Sequence, residues 1–303
     1  MLFYVKIIKN KGYGVGKTNY IIFDLEFNST KNTKTSRFIN EIIEIGAVKL
    51  DETLQEVDCF SCTVKPHFSK KLNPYVKKLT NITEELLKDS DDFQTVSSQF
   101  EDWCGSDENT VFLSWSDTDL HVLFENYNQL LGRESIDLIS NYLDLQKYIE
   151  MFIPRENNNQ ISLKAAAAHY KISTDSLTLH RACDDSRLCG LLLKQTFDKQ
   201  KFLSIIRNIN NHEFYKKLIF KPYIITDLKS ENIDKNSVDI HCPVCDEKIK
   251  FNAKFNKKTK AFTSVLKCKN CKNKIAYTVR FKKFYDNIST NVKVKEIKQQ
   301  ERH

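Results

Sequence analysis

Glycine and proline are scarce in this chain, 7 and 5 of 303 residues, and Met and Trp occur twice each. Long flexible or low-complexity stretches draw on Gly and Pro, so none is expected. Also lacking is any apolar run of the roughly 20 residues that a helix needs to span a bilayer. The opening segment Met1–Ile8 is apolar but broken by Lys6, and no small-residue cleavage site follows it, so it does not read as a signal peptide. Nine cysteines, an odd number, do not suit a secreted disulfide framework in a chain this long. The expected setting is a reducing cytoplasm without membrane attachment.

What is present fits a soluble protein. Hydrophobic residues make up 41% and charged residues 28%. The length suits one medium domain with its own core plus a smaller one. The net charge of +8 is uneven: from Ile240 onward 17 Lys and Arg stand against 5 Asp and Glu, a balance of +12 that leaves the preceding part near −4. A mildly acidic body followed by a strongly basic segment suggests an acid-lined site joined to a polyanion-binding module. A solvated Lys-rich surface would give the same count.

Strands are expected at Tyr20–Phe27, Ile42–Leu50 and Cys59–Lys65, close enough for an antiparallel meander, with turns at Thr30–Arg37 and Asp51–Thr53. Thr110–Ser114 reads as a buried strand. Helices are expected at Thr83–Lys88, Val96–Trp103, Asp119–Leu131, Asn141–Phe152, Ser162–Tyr170, Asp184–Phe197 and Lys201–Asn208. Strands first, then strands alternating with helices, indicate a mixed α/β sheet. The expected division is an extension at 1–18, a first domain at 19–198, a linker at 199–238, a cysteine-rich module at 239–285 and a basic tail at 286–303.

Asp24 and Glu26 lie two apart on a strand, so both carboxylates project from one face while Phe23 and Leu25 face the core. Two such carboxylates can share a hard divalent cation. A solvated strand face is the alternative, but the flanking residues YIIF and F are strongly apolar. Asp119 follows an apolar strand and a Ser-Trp-Ser-Asp-Thr turn and could cap its helix; Asp117 is its rival for either role. His180 stands five residues before Asp185, which falls in the first turn of a helix. That spacing lets a carboxylate reach a metal while the imidazole reaches a water.

FDLEF, SWSDTDLHVL and HRACDDSRL together resemble the three exonuclease motifs of the DEDDh (DnaQ-like) superfamily. EIIEIGAVKL, NPYVKKLTNITEELL, NYLDLQKY and SLKAAAAHY are similar to its auxiliary segments. Within it, the chain looks most like the ERI-1/KapD-like 3′→5′ exonucleases, over about residues 19–198. The resemblance implies a ribonuclease H-like fold. By motif, Asp24, Glu26, Asp119 and Asp185 match the acidic ligands of two Mg²⁺ (or Mn²⁺) ions, and His180 matches the general base. It implies a partner with a free 3′ end, RNA or single-stranded DNA, with Phe27 expected to touch it. Phosphodiester hydrolysis needs an activated water and a stabilised leaving oxygen, which paired divalent ions supply. An imidazole titrates near neutrality and suits the base. Ser116 departs from the family pattern, where many relatives carry Gly.

Cys242-Pro-Val-Cys245 and Cys268-Lys-Asn-Cys271 are separated by 22 residues, a zinc-ribbon spacing for one structural Zn²⁺. KIKFNAKF and IAYTVRF alternate as strands would. Along the first, Lys248, Lys250 and Lys254 share a face opposite Ile249, Phe251 and Phe255. That face is expected to touch phosphates, with a solvated face as the alternative. Asp246 and Lys272 stand where many zinc knuckles carry Gly. Cys59 and Cys62 also form a C-x-x-C, but inside a strand with no second pair, and read as sheet packing. Gly12–Thr18 (GYGVGKT) is one residue short of a P-loop and precedes its strand, so it is set aside.

Overall fold

The structure, a computed structural model, describes residues 19–32, 38–154, 160–229 and 233–297. The extension at 1–18, with its GYGVGKT segment, and the last residues of the basic tail lie outside the described residues. The chain divides into two compact units between Leu218 and Ile219.

The first unit is built on a six-stranded sheet. β1 (Tyr20–Lys31), β2 (Phe38–Leu50) and β3 (Glu56–Thr63) form the expected antiparallel meander. The turn expected from Thr30 is displaced, because β1 runs on through Thr30 and Lys31 to pair with Ile39 and Phe38; residues 33–37 lie outside the described residues. α1 (Pro74–Thr80), α2 (Glu84–Lys88) and α3 (Phe93–Cys104) follow. Asn73, Thr83 and Asp92 cap them by accepting from backbone N–H groups in their first turns. β4 (Val111–Ser114) pairs with β1 in parallel and leads into α4 (Asp117–Leu131).

Asn141–Phe152 is not one helix as expected. Asn141–Asp144 is β5, buried along its whole length and paired in parallel with β4, and only Leu145–Ile149 is helical (α5). A run buried on both faces carries no helical period, and Asp144 ends it by capping α5 through the Lys147 N–H. α6 (Leu163–His169) and α7 (Ala182–Thr196) come next, then α8 (Lys199–Ile205). The expected extension of α8 to Asn208 fails because Arg207–Asn208 turns out as β6, an edge strand on β5. α9 (His212–Leu218) was not anticipated; its Tyr215 is fully buried and donates to the Ile136 carbonyl. Residues 199–218 therefore pack on the first unit and are not a linker.

The strand order β3-β2-β1-β4-β5-β6, with β2 antiparallel to β1, is the ribonuclease H-like arrangement. Alternation on β1 divides the core. Ile21, Phe23 and Leu25 join a cluster with α3 and α4, while Tyr20 and Ile22 join one with α5, α7 and α8. Asp24 and Glu26 continue the second row, which is why they face α7.

The second unit opens with β7 (Tyr223–Ile224) and holds β8 (Lys254–Asn256), β9 (Ala261–Lys267), β10 (Lys274–Lys283) and β11 (Ile288–Glu296). The order is β11-β10-β9-β8, with β7 on the end of β10. β11 takes up half of the segment expected as a tail. The strand expected at 248–255 shrinks to a His241–Lys248 bridge and β8. Ile249 and Phe251 are buried as expected, but the backbone of Asn252 bonds at both N–H and C=O to the Tyr277 hydroxyl, at 2.7 Å each, in place of a neighbouring strand.

Candidate active site

The site grows from the place where β1, β2 and two helix starts meet. Asp24 pairs with Gly46 and Glu26 with Glu44, and the β1–β2 register shifts immediately after Glu26. Such a bulge re-aims the chain next to functional side chains. Gly46 is required there. A Cβ on it would lie 2.1 Å from the Cys183 nitrogen and 2.2 Å from the Ala182 carbonyl carbon, so only glycine lets the start of α7 rest on β2. That approach delivers Asp185, in the first turn of α7, to the carboxylates of β1. On the other side Asp119 arrives in the first turn of α4, directly after β4.

Asp24, Glu26, Asp119 and Asp185 are brought together. Burial comes first, then the charges of Asp119, Asp185, Glu26 and Glu44, and together they push the Asp24 carboxyl well above the usual range. Burial, followed by Asp185 and Glu44, pushes Glu26 up to about 8 against the opposing charge of Arg181. Burial holds Asp119 up at about 7, although backbone hydrogen bonds, including one from Leu25, act to lower it. Asp185 is raised by burial and moderated by the His180 N–H, which donates to it at 3.2 Å.

The nearby cations are engaged elsewhere. Arg207 and Lys147 pair with Asp117, and Lys147 also reaches Asp144 at 2.7 Å. Arg187 pairs with Asp184, and Arg181 with Glu44. Among the described residues no Lys or Arg forms an ion pair with any of the four clustered acids. Asp117 is thereby separated from Asp119. Burial acts to raise Asp117, but Arg207 and then Lys147 prevail and hold it low. Nor does either aspartate cap α4, because Ser116 accepts from the Thr118 N–H at 3.1 Å.

His180 adopts φ 65° in a tight turn and is exposed. Glu26, His180 and Asp185 each offer an atom within 4.8 Å of the others. Phe27 is half-buried against the α3–α4 cluster, packed beside the core.

Two residues escaped sequence reasoning. Glu44 is 1% exposed, accepts from Arg181 Nε at 3.0 Å and Nη2 at 2.5 Å, and takes the Ala182 N–H at 3.1 Å. It thus caps α7 from another element, while Arg181 keeps its charge compensated. The signal was available: a carboxylate inside the buried run IIEIG demands a partner. Cys62 packs at the edge of the core, whereas Cys59 is exposed.

In the second unit Cys242, Cys245, Cys268 and Cys271 converge with all four sulfurs within 4.8 Å of one another. Sγ···Sγ distances are 3.7 Å for Cys242–Cys271 and 3.6 Å for Cys245–Cys268. Four thiolates about 2.3 Å from a tetrahedral zinc stand about 3.8 Å apart, so the cluster fits that ion. The two pairs sit in matching knuckles. Asp246 N–H returns to the Cys242 carbonyl and Lys272 N–H to the Cys268 carbonyl, and both turn residues are left-handed, φ 58° and 61°. The Glu247 backbone amide, with the other thiols, lowers Cys245 to about 7, while against the Asn273 backbone amide burial and the neighbouring thiols push Cys271 up to about 12, as expected of four crowded sulfurs that share their protons.

The family model described as "Exonuclease" (RNase_T) matches residues 21–193. A DNA polymerase III PolC-type from Clostridium perfringens (strain 13 / Type A) is 30% identical over 187 residues, 60% of this chain. The chain spans only 11–12% of the length of such curated relatives. A solved full-length 3′-exonuclease aligns over 64% of this chain and 65% of its own, at 21% identity and TM-score 0.54. The nuclease domain of 3′hExo, a DEDDh family member bound to rAMP, aligns over 60% and 92%, at 22% identity and TM-score 0.50. These likenesses concern the fold. With the family pattern met across more than half its length, on a ribonuclease H-like sheet, the chain belongs to the RNase_T exonuclease family.

Proposed function

We propose that the first unit is a 3′→5′ exonuclease that hydrolyses phosphodiester bonds at 3′ ends of RNA or single-stranded DNA. The observation that carries this is the convergence of Asp24, Glu26, Asp119 and Asp185 with no Lys or Arg in ion-pair contact among the described residues. Their mutual repulsion and burial call for a cation, and an all-carboxylate donor set suits a hard one, Mg²⁺ or Mn²⁺. Two such ions, held by these four residues, supply electrostatic stabilisation of an in-line displacement. His180 takes the proton of the attacking water at an imidazole nitrogen, and the turn that its own N–H closes onto Asp185 positions it. Glu44 and Arg181 hold the start of α7, and with it Asp185, against β2.

In this reading the cysteine cluster holds one structural Zn²⁺, and Lys248, Lys250 and Lys254 are candidates for phosphate contact. Phe27 is placed for packing first, and contact with the nucleic acid is its secondary role. The nine cysteines are free, and the proposed setting is a reducing compartment such as the cytoplasm. No helix among the described residues is long and apolar enough to cross a membrane.

The test is incubation with matched RNA and DNA oligomers labelled at the 5′ end, with Mg²⁺ or Mn²⁺. A ladder shortening from the 3′ end is expected. No ladder on any substrate would leave a non-catalytic nucleic-acid-binding role in its place. A proofreading-type DNA exonuclease is the second reading, favoured by the identity to a segment of a polymerase; turnover of DNA but not RNA would select it.

A further inference from the structure

Residues opposite one another in an antiparallel pair share a face, and neighbours along a strand alternate. On β10 the inward row is Ile275, Tyr277, Val279 and Phe281, all at most 1% exposed. They pack with the segment carrying Ile240, Ile249 and Phe251. The register then fixes what points the other way. Lys267 of β9 lies opposite Lys274 of β10, while Lys295 and Lys293 of β11 lie opposite Ala276 and Thr278. Arg280 and Lys282 continue the outward row of β10. All six cations are exposed.

No Asp or Glu occupies an outward position on β8–β11. The one acid in these strands, Glu296, pairs with Ile275 on the inward side and accepts from Asn273 Nδ2 at 2.9 Å. Lys267, Lys274, Lys293 and Lys295 have no acidic partner among the described residues. Like charges directly opposite, as in Lys267–Lys274, destabilise a sheet, so this face is unfavourable for the isolated fold. Between the cations stand small or flat residues, Thr263, Ala276 and Thr278, with Val265 56% exposed.

The aromatic rings of the unit's strands are absent from this face. Phe255, Phe262, Tyr277 and Phe281 all belong to the inward side. Single strands are held by stacking bases on aromatic side chains; the strands of this surface offer none, and the one ring found against its cations among the described residues, Phe284 just past β10, is already covered by Lys282 at 5.0 Å. It offers a two-dimensional array of cations, with rows about 4.8 Å apart and steps of about 7 Å along each strand. A duplex presents a rigid, dense array of outward phosphates that such a surface complements.

We propose that the outward face of the β8–β11 sheet docks the phosphate backbone of double-stranded nucleic acid, without reading its sequence. The partner class rests on the exonuclease reading, but the surface is built from second-unit residues alone and is tested by binding alone. The experiment uses the full chain carrying Asp24→Asn, so that the probe is not consumed, with and without the four substitutions Lys267→Gln, Lys274→Gln, Lys293→Gln and Lys295→Gln. The probe is a fluorescein-labelled blunt DNA duplex of about 20 base pairs, followed by anisotropy across a salt series, with zinc content and melting temperature as folding controls. Each phosphate contact contributes about 0.9 to the slope of log affinity against log salt, so losing four makes the slope shallower by about 3.6, with an affinity loss on the order of a thousandfold near 0.1 M salt. Should the quadruple variant not fold, each single substitution is expected to reduce the slope by about 0.9. Unchanged affinity and slope overturn the proposal. So does a loss seen on a single strand only, or on anionic phosphatidylserine vesicles only. An inactive parent enzyme would remove the exonuclease reading and leave this binding result intact.

Discussion

The two units of the molecule place charge and hydrophobicity in opposite ways. The first buries two large apolar clusters on either side of its sheet and draws four carboxylates together between them. The second has one cluster of 12 buried side chains among its described residues, two of them from the Cys₄ cluster, and leaves its cations on an open sheet face. A unit with a large core tolerates electrostatic strain at its site because packing outweighs it. A unit with a small core needs a covalent or metal staple, and in the proposed reading a zinc held by the Cys₄ cluster supplies it.

The comparison breaks most readily at the staple. Cys242→Ser, or stripping by a chelator, is expected to unfold the second unit while the first keeps its own melting transition, seen as one lost and one retained transition in calorimetry. Retention of both transitions after complete zinc removal would show that the apolar cluster suffices.

Next in size is the acid site. Asp24→Ala or Asp185→Ala is expected to lower turnover of a labelled single strand by at least about 10³-fold with Mg²⁺, since charge stabilisation worth several kcal/mol is lost. The fold is expected to persist, because removing one of several repelling buried carboxylates relieves strain. Turnover within tenfold of the parent in either variant contradicts the assignment.

A smaller effect is expected where the first unit compensates its own charge. Arg181→Ala leaves Glu44 buried and unpaired. A fully buried pair broken in this way costs about 3–5 kcal/mol; with Arg181 partly exposed, about 2 kcal/mol is expected in urea unfolding. Arg181→Lys is expected to recover only part, because an ammonium cannot reproduce the forked contact.

The last expectation is a pH dependence. Without divalent ions the folded protein holds Glu26 at about 8 and Asp119 at about 7, whereas unfolded carboxylates titrate near 4. The folded state therefore binds these protons more tightly. Its stability contribution is full below about pH 4 and is lost as pH rises through about 7–8. Bound Mg²⁺ replaces those protons, so it is expected to raise the melting temperature more at pH 8.5 than at pH 5.5. An equal rise at both values would mean that the four acids do not share a cation.

Much of this was legible in the residues. The D-x-E on an apolar strand, the order of the three motifs and the spacing of the cysteine pairs all pointed to the clusters that the fold brings together, because period, order and ligand spacing are local properties. Asn141–Asp144 was misread as helix since a strand buried on both faces shows no alternation. Lys248–Ala253 was misread as strand since its alternation is real but its backbone is satisfied by the Tyr277 hydroxyl, a partner 25 residues away. The rivalry of Asp117 and Asp119 had no local answer, because it depends on Arg207, some 90 residues on.

The sequence by itself determined which groups are present and in what order: four acids, a histidine, four thiols and a surplus of lysine near the end. Only the tertiary structure decided which charges are compensated. Arg181 goes to Glu44, Arg207 and Lys147 go to Asp117, the clustered acids receive none of them, and five of the six lysines of β9–β11 fall on one exposed face. Charge compensation is a matter of distances of a few ångströms between residues far apart in the chain, and strand register and helix docking set those distances.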